Sequence, residues 1–97
     1  MKKYSVTILI TSRNRKNELG IALDSCLRQS DVNEIFVIDD GSNDGTHVFV
    51  ISNYPEVRIE RIETSIGIVR ARNFGIERVK SEVVLIIDDD CEFKTDD

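Results

Sequence analysis

The sequence predicts an α/β fold, a three-layer sandwich in which a parallel sheet is covered by helices on both faces. Apolar, β-rich segments alternate with segments in which apolar residues recur at helical spacing, in the order βαβαβαβ. Such alternation is typical of parallel strands joined by right-handed helical crossovers. With 97 residues, one proline and five glycines, the chain has room for one small domain, which we expect to span residues 1–97.

Four segments are predicted to form the strands. Each is rich in β-branched or aromatic residues, and the first is almost continuously apolar, as expected for a strand that is buried on both faces. The third alternates between apolar and polar positions. The predicted strands are residues 4–10, 34–38, 57–62 and 82–87.

Three helices are predicted from apolar residues that recur three or four positions apart. The first covers about 15–29, with Asn14 as its N-cap. A shorter second helix covers 47–52, is capped by Ser42 or Asp44, and is ended by Tyr54 and Pro55. The third covers about 67–80. The apolar positions that define the first and third helices are Leu19, Ala22, Leu23, Cys26 and Leu27, and Ile68, Ala71, Gly75, Ile76 and Val79.

Polar clusters follow three of the four predicted strands. They are Thr11-Ser12-Arg13-Asn14, Asp39-Asp40-Gly41-Ser42 and Asp88-Asp89-Asp90. The carboxyl ends of parallel strands meet at one edge of the sheet, and ligands bind there in open α/β folds. We therefore expect the three clusters to form one site.

The run Asp88-Asp89-Asp90 directly follows five apolar residues. If the chain stays extended there, Asp88 and Asp90 lie on the same side and offer oxygen ligands to Mg²⁺ or Mn²⁺. Such ions are commonly held by one or two carboxylates together with substrate phosphates and water. Acidic runs at strand ends are more often solvated turns, so this motif alone does not decide for a metal site.

The pair Asp39 and Asp40 is a second indication of a site. A turn accounts for Gly41, and a helix cap accounts for Ser42 or Asp44. Neither accounts for two consecutive carboxylates at the end of a buried strand. A carboxylate in this place could accept hydrogen bonds from the N–H of a base or from sugar hydroxyls.

Basic residues stand at the start of two predicted helices, where the helix dipole disfavours cations. Arg13, Arg15 and Lys16 lie at the start of the first helix, and Arg70 and Arg72 lie in the first turns of the third. Their placement is explained if an anion binds there, held by guanidinium groups and free backbone N–H groups. The alternative is that these long side chains point into solvent.

Several classes of function are disfavoured. The net charge of −5 argues against a nucleic-acid partner, and neither a P-loop nor a dinucleotide-binding motif is present. His47 is expected to be structural, and the serines lack a histidine partner for a catalytic triad. No segment approaches the roughly 20 apolar residues of a membrane span. Cys26 and Cys91 fit neither a zinc spacing nor a disulfide framework, so we expect a cytoplasmic protein with reduced thiols.

Taken together, four segments resemble family 2 glycosyltransferases of the GT-A fold: residues 6–15, 37–46, 67–75 with Ala71-Arg72-Asn73, and Asp88-Asp89-Asp90. Their order and spacing match over nearly the whole chain. The resemblance implies a Rossmann-like sheet with strand order 3-2-1-4. It also implies a site for a nucleotide diphosphate sugar, usually of uridine or thymidine, with Mg²⁺ or Mn²⁺ on the diphosphate, and transfer of the sugar to an acceptor hydroxyl with inversion.

The resemblance assigns the first two clusters to the nucleotide. Thr11, Ser12 and Arg13 would border the base and the ribose. Asp40 would act toward the base, with Asp39 beside it. Family members often carry an aromatic residue where this chain has Arg13, so stacking on the base would fall to a guanidinium.

The remaining assignments concern the sugar diphosphate and the cation. Arg72 would face the nucleotide or the diphosphate, and Asp88 the ribose or the metal shell. Asp90 would be the direct metal ligand, and Asp89 belongs to the nucleotide-sugar site beside it. No residue is assigned as the catalytic base.

In the family, the acceptor-binding half and the base follow the metal motif, so residues 1–97 would be the donor-binding half, with very low activity in isolation. One alternative is a nucleotide-binding or interaction module that keeps the fold without the chemistry. A second is a Mg²⁺-dependent phosphotransferase, against which the matches around Gly41 and Gly67 argue. The fourth strand would lie at an edge of the sheet, so we also expect a homodimer or higher association through that edge.

Overall fold

The predicted alternation of strands and helices is present. A computed structural model describes residues 4–93, so both ends of the predicted domain, 1–3 and 94–97, lie outside the described residues. The strands are β1 (Val6–Ser12), β2 (Glu34–Asp40), β3 (Arg58–Ile62) and β4 (Val83–Asp88). The helices are α1 (Lys16–Cys26), α2 (Thr46–Asn53) and α3 (Ile68–Ile76).

The four strands form one parallel sheet in the order β3-β2-β1-β4, which confirms the predicted α/β fold and strand order. β1 lies between β2 and β4. Thr11 is paired with Ile38 of β2 and with Asp88 of β4, so these three strands end level with one another. The polar residues at their carboxyl ends therefore share one edge of the sheet.

Helices cover both faces of the sheet because successive β1 side chains point to opposite faces. Ile8 and Ile10 belong to a buried cluster with Leu19 of α1, whereas Leu9 packs with Ala71 of α3. The first cluster also holds Leu23, Cys26, Ile35, Val37, Val50 and Val57, and the second also holds Phe36 and Ile38. None of the helices between residues 4 and 93 is long and apolar enough to cross a lipid bilayer.

Three strands extend one or two residues beyond their predicted ends. Ser12, Asp40 and Asp88 are the last residues of β1, β2 and β4, although their polarity predicts loops. Backbone pairing with the neighbouring strand, such as that of Ser12 with Asp39, keeps them in the sheet. β1 also begins later than predicted, at Val6. The site residues at the strand ends are therefore held by a rigid element.

Helices α1 and α3 are shorter than predicted. After their last residues the chain continues in tight turns: Gln29 N–H donates to the Cys26 carbonyl at 3.0 Å, and Val79 N–H donates to the Ile76 carbonyl at 3.2 Å. Such turns keep apolar side chains at nearly helical spacing. The sequence pattern therefore extends past the helix itself.

The helix caps differ from the prediction. Asn14 has a left-handed φ of 55°, and α1 begins only at Lys16, whose N–H donates to Asp44 Oδ2 in the neighbouring loop at 3.1 Å. The N-cap residue of α2 is Gly45. Asp44 Oδ1 accepts hydrogen bonds from the backbone N–H of Thr46, at 3.1 Å, and from the Thr46 hydroxyl. One carboxylate thus holds the first residues of two helices.

β4 forms one edge of the sheet and is only partly covered. Val83, Leu85 and Ile86 are 41%, 44% and 40% exposed. Because Leu85 and Ile86 are adjacent, they lie on opposite faces of the sheet. Both faces of this edge strand are therefore apolar and open.

Candidate functional site

A cavity of about 440 Å³ opens at the edge of the sheet where the strands end. Three of its walls are formed by the ends of β1, β2 and β4, together with the loop after β1 and the turn after β4. The fourth wall is formed by the loop before α3 and the first residue of that helix. The lining residues are Thr11, Ser12, Arg13, Arg15, Asp40, Ser65, Gly67, Ile68, Asp88, Asp89 and Asp90. The structure thus brings residues from each of the three polar clusters to one cavity.

Asp89 is the most enclosed of the three consecutive carboxylates, with 12% of its side chain exposed. Its Oδ2 accepts a hydrogen bond from the Ser12 hydroxyl at 2.9 Å, and its Oδ1 lies 3.1 Å from Arg15 Nε. Burial raises the pKa of Asp89, against the opposing effects of Ser12 and Arg15, and the charges of Asp90 and Asp88 add to the increase. Asp89 therefore ties the end of β4 to β1 and to the start of α1.

Asp88 and Asp90 are the freer carboxylates of the run. The chain does not stay extended after β4, because Cys91 N–H donates to the Asp88 carbonyl at 3.1 Å and closes a turn. Both side chains nevertheless line the cavity. Within residues 4–93 the Asp88 carboxylate makes no hydrogen bond or ion pair, and Asp90 makes one long ion pair, 3.6 Å from its Oδ2 to Arg15 Nη2.

The carboxylate oxygens of Asp88 and Asp90 are suited to a hard cation whose remaining ligands come from phosphate or water. Carboxylate oxygens suit Mg²⁺ and Mn²⁺. In the described part of the chain, no group of three acidic, histidine or cysteine side chains is arranged to hold a metal ion by itself. A cation here would need further oxygens from phosphate or water, which is the usual situation for Mg²⁺ at nucleotide sites.

Asp40 shapes the cavity by holding the loop between β3 and α3. Its Oδ1 accepts a hydrogen bond from Ile66 N–H at 2.8 Å, and its Oδ2 accepts one from Gly67 N–H at 3.0 Å and one from the Ser65 hydroxyl at 2.8 Å. The loop lies so close that a Cβ at Gly41, where φ is +70°, would be 2.6 Å from Ser65 N. Asp40 therefore lines the cavity and also holds the loop that forms one of its walls.

Asp39 is fully buried and does not line the cavity. Its Oδ1 accepts a hydrogen bond from Ser42 N–H at 3.0 Å, and its Oδ2 accepts one from Arg61 Nη1 at 3.0 Å. The same nitrogen donates to the Ser42 carbonyl at 2.9 Å. A buried carboxylate needs such a partner. Sequence reasoning missed Arg61, whose only signal is its place opposite Asp39 once β2 and β3 are paired.

Two buried side-chain polar atoms have no hydrogen-bond partner among the described residues, namely Thr11 Oγ1 and Arg72 Nε. Buried polar atoms in proteins are generally paired, so an unpaired one indicates a ligand or a water molecule. Thr11 lines the cavity, whereas Arg72, in α3, does not. The Thr11 hydroxyl is therefore a buried group beside the cavity that has no partner among the described residues.

The basic residues predicted at the helix starts have different environments. Arg13 and Arg15 line the cavity, whereas Arg70 is exposed and outside its lining. The anions that Arg15 meets are the protein's own carboxylates. Ser65 also lines the cavity and carries no sequence signal, whereas Gly67 opens one of the segments that carry the family resemblance.

Known proteins match nearly the whole chain. Residues 7–97 match the family described as Glycosyl transferase family 2. A Haemophilus influenzae protein described as an uncharacterized glycosyltransferase is 34% identical over 86 residues, which are 88% of this chain and 29% of that protein. The Escherichia coli UDP-Glc:alpha-D-GlcNAc-diphosphoundecaprenol beta-1,3-glucosyltransferase WfgD is 29% identical over 93 residues, 93% of this chain and 36% of that protein. The chain spans about a third of the length of these relatives.

Solved structures share the fold. The mannosyltransferase PcManGT from Pyrobaculum calidifontis, in complex with GDP-Man and Mn²⁺, has a TM-score of 0.85 at 23% identity, over 98% of this chain and 30% of that one. S. aureus TarS 1-349, in complex with UDP-GlcNAc, has a TM-score of 0.79 at 24% identity, over 89% of this chain and 26% of that one. These likenesses establish the GT-A fold. Together with the match over residues 7–97, they show that the chain belongs to the family 2 glycosyltransferases.

Proposed function

We propose that residues 1–97 form the donor-binding part of a glycosyltransferase that uses a nucleotide diphosphate sugar with a divalent cation. The observation that most supports this is the composition of one cavity, which has the unpaired Thr11 hydroxyl, the Asp40 wall and the carboxylates of Asp88 and Asp90. Arg15 adds positive charge to the same space. Groups suited to a base, a sugar and a metal-bound diphosphate are thus available together.

The first two clusters would bind the nucleoside. Thr11 would donate to it directly, whereas Ser12 would act through the hydrogen bond that it donates to the neighbouring carboxylate run. Arg13 is exposed at the cavity and presents a planar guanidinium to the base. Asp40 lines the cavity and already accepts three hydrogen bonds, so it would use its one remaining lone-pair position to accept a hydrogen bond from the base. Asp39 supports the turn behind it.

The carboxylate run would bind the ribose and the cation. In this proposal Asp90 is the direct metal ligand and Asp88 contacts the ribose or completes the metal shell. Asp89 keeps the end of β4 in place through Ser12. Arg72 would face the nucleotide or the diphosphate; its buried Nε has no partner among the described residues, but the side chain lies outside the cavity lining.

The reaction proposed for the whole protein is transfer of the sugar to an acceptor hydroxyl with inversion. A base removes the hydroxyl proton while the oxygen attacks the anomeric carbon, and the bond from that carbon to the diphosphate breaks. Mg²⁺ or Mn²⁺, when bound, stabilises the negative charge of the diphosphate. We assign no base among the cavity residues and expect very low transfer by residues 1–97 alone.

The donor is proposed to be a uridine or thymidine diphosphate sugar. WfgD is named for UDP-Glc, and one TarS structure holds UDP-GlcNAc, whereas the PcManGT structure holds GDP-Man and Mn²⁺. Uracil and thymine share one ring N–H that a carboxylate such as Asp40 can accept. Guanine has a ring N–H as well, so the choice of a pyrimidine nucleotide rests on the family resemblance and on the UDP-sugars named for WfgD and TarS.

Thermal unfolding with ligands tests the proposal. A UDP-sugar at about ten times its Kd, with Mn²⁺ present, adds about 1.4 kcal/mol to the free energy of unfolding. For a domain of this size, this should raise the Tm by about 6–11 °C. The rise should be much smaller for Asp90→Asn, which loses the direct metal ligand. Asp31→Asn is the matched control, because Asp31 is exposed in the loop before β2 and outside the cavity lining.

The outcomes separate the proposal from its alternatives. No Tm rise with UDP-, dTDP- or GDP-sugars, with either Mg²⁺ or Mn²⁺, contradicts a nucleotide-sugar site. A rise without any sugar transfer by a longer protein that contains this chain favours a binding module without chemistry. A rise with GDP-sugars alone contradicts the choice of a pyrimidine nucleotide.

We also propose that β4 is an interaction edge through which two copies of the chain associate. Among residues 4–93 no strand pairs with one side of β4, and Leu85 and Ile86 are 44% and 40% exposed. Open apolar edge strands tend to pair with another chain.

A further inference from the structure

We propose that Arg15 is an internal counter-ion of the carboxylate run. Its guanidinium holds Asp89 and Asp90 while no divalent cation is bound, and it exchanges Asp90 for the diphosphate of the nucleotide when a cation binds Asp90. This role rests on the proposed nucleotide-sugar function, and it adds to that function a competition between a side chain and the metal.

The two ion pairs of Arg15 differ in strength. Arg15 Nε lies 3.1 Å from Asp89 Oδ1, and the side chain of Asp89 is 12% exposed. Arg15 Nη2 lies 3.6 Å from Asp90 Oδ2, and the side chain of Asp90 is 62% exposed. A long, solvated ion pair contributes little free energy. The contact with Asp90 is therefore the one that can be exchanged, while Asp89 keeps Arg15 at the cavity.

The position of Arg15 supports a specific use of its charge. It is the N-cap residue of α1, where the helix dipole disfavours a cation. The carboxylates of Asp89 and Asp90 offset this cost, and Arg15 in turn reduces the repulsion within the run. Arg13 lines the same cavity and makes no ion pair among the described residues. The pairing thus distinguishes Arg15 from its neighbour.

A divalent cation and the guanidinium compete for Asp90 because both are positive and both need its oxygens. Like charges a few ångströms apart repel each other, so the charge of Arg15 should weaken the binding of a metal alone. A nucleoside diphosphate changes the sign of this effect. The diphosphate oxygens accept hydrogen bonds from the forked N–H groups of arginine. Arg15 should therefore strengthen the binding of the nucleotide once the metal ion is present.

Two binding measurements on one variant test both halves of this role. Mn²⁺ is titrated alone, with the free ion measured by electron paramagnetic resonance, and UDP is titrated by calorimetry at saturating Mn²⁺. We expect Arg15→Gln to bind Mn²⁺ alone about fivefold more tightly and UDP about tenfold more weakly than the unsubstituted chain. Arg15→Lys keeps the charge without the fork, so it should leave the Mn²⁺ affinity nearly unchanged and still weaken UDP binding.

Arg70→Gln is the matched control, because it removes one exposed positive charge outside the cavity lining. It should change neither affinity by more than about twofold. If Arg15 is only structural, the affinities for Mn²⁺ and for UDP fall together in Arg15→Gln, and this result overturns the counter-ion role. An unchanged Mn²⁺ affinity in Arg15→Gln also overturns it. So does a failure of both forms to bind Mn²⁺. If the unsubstituted chain binds Mn²⁺ but not UDP, the proposed function fails, while the Mn²⁺ titration still decides whether Arg15 competes for the carboxylates.

Discussion

Acidic side chains at the carboxyl edge of the sheet differ in how many hydrogen bonds they accept, and Asp89, with one hydrogen bond and one close ion pair, is intermediate. Asp39, Asp40 and Asp44 accept two or three hydrogen bonds each, and these bonds hold turns, a loop and two helix starts. Asp88 and Asp90 instead present exposed carboxylates to the cavity. A carboxylate whose oxygens already accept N–H groups has less capacity for a cation. This difference in hydrogen bonding supports a cation site at the end of β4.

Asp44 should stabilise the fold in a pH-dependent way. Its burial acts to raise its pKa, but hydrogen bonds from Thr46 and from Lys16 N–H outweigh this and lower the pKa below its usual value. Because the pKa is lower in the folded state, the stabilisation is present above the unfolded value of about 3.9 and is lost as the pH falls through the folded value. Asp44→Asn keeps only one of the two accepting oxygens, which serve Lys16 and Thr46. It should therefore reduce the free energy of unfolding by about 1 kcal/mol near neutral pH and by less at about pH 3.

Urea unfolding of both forms over this pH range measures the difference. Asp31→Asn again serves as the control, because it removes an exposed carboxylate and should leave stability nearly unchanged. A difference between the Asp44 forms that is the same at neutral and acidic pH would contradict a role for the charge.

Among the elements, α3 is positioned by its close approach to the sheet at Gly75. A Cβ at this residue would lie 2.8 Å from Leu9 Cδ1 and 2.9 Å from Ile38 Cγ1, and both of those side chains are fully buried. The helix therefore lies closer to the sheet than a larger residue allows. Its first residue, Ile68, lines the cavity, so this packing also places one wall of the site.

Gly75→Ala should lower the free energy of unfolding by about 1–2 kcal/mol. Crowding a packed core costs about 1–3 kcal/mol, and the higher helix propensity of alanine offsets up to about 1 kcal/mol of this. Gly20→Ala in α1 is the matched control. Its methyl group would meet the half-buried ring of Phe49 at 3.2 Å, a side chain that can move. Thermal unfolding should show a loss for Gly75→Ala and little change for Gly20→Ala. Equal effects at the two glycines would contradict the close packing of α3.

For the whole molecule, the two edges of the sheet differ in character. β3 carries Arg58 and Glu60, which form an ion pair at 3.1 Å, and charged residues of this kind protect an edge from pairing with another chain. β4 carries exposed Leu85 and Ile86 instead. Association is therefore expected through β4 and not through β3.

Light scattering over a range of concentrations should show a homodimer or a larger species. Leu85→Lys places a charge on the open edge and should shift the chain toward the monomer. Val48→Lys is the control, because Val48 is 66% exposed on α2 and lies away from this edge. An unsubstituted chain that stays monomeric at high concentration would contradict the proposed edge.

The local sequence pattern was enough to predict the order of the strands and helices and to predict that the polar clusters lie at one edge of the sheet. Hydrophobic periodicity is a property of neighbouring residues, and a parallel sheet brings strand ends to one edge whatever the details of packing. It was not enough for the caps: Asn14 was expected to cap α1, yet Asp44 does so from another loop. Nor did it indicate that Ser65 lines the cavity or that Arg61 pairs with Asp39.

The sequence by itself determined the α/β fold, the strand order implied by its family resemblance, and the position of the three clusters at the carboxyl edge. Only the tertiary structure decided which acidic residues accept several hydrogen bonds and which keep free oxygens at the cavity. It also decided that Arg15 meets Asp89 and Asp90. The physical reason is that periodicity depends on near neighbours, whereas the partner of a charged side chain depends on residues that are distant in sequence and become adjacent only when the chain folds.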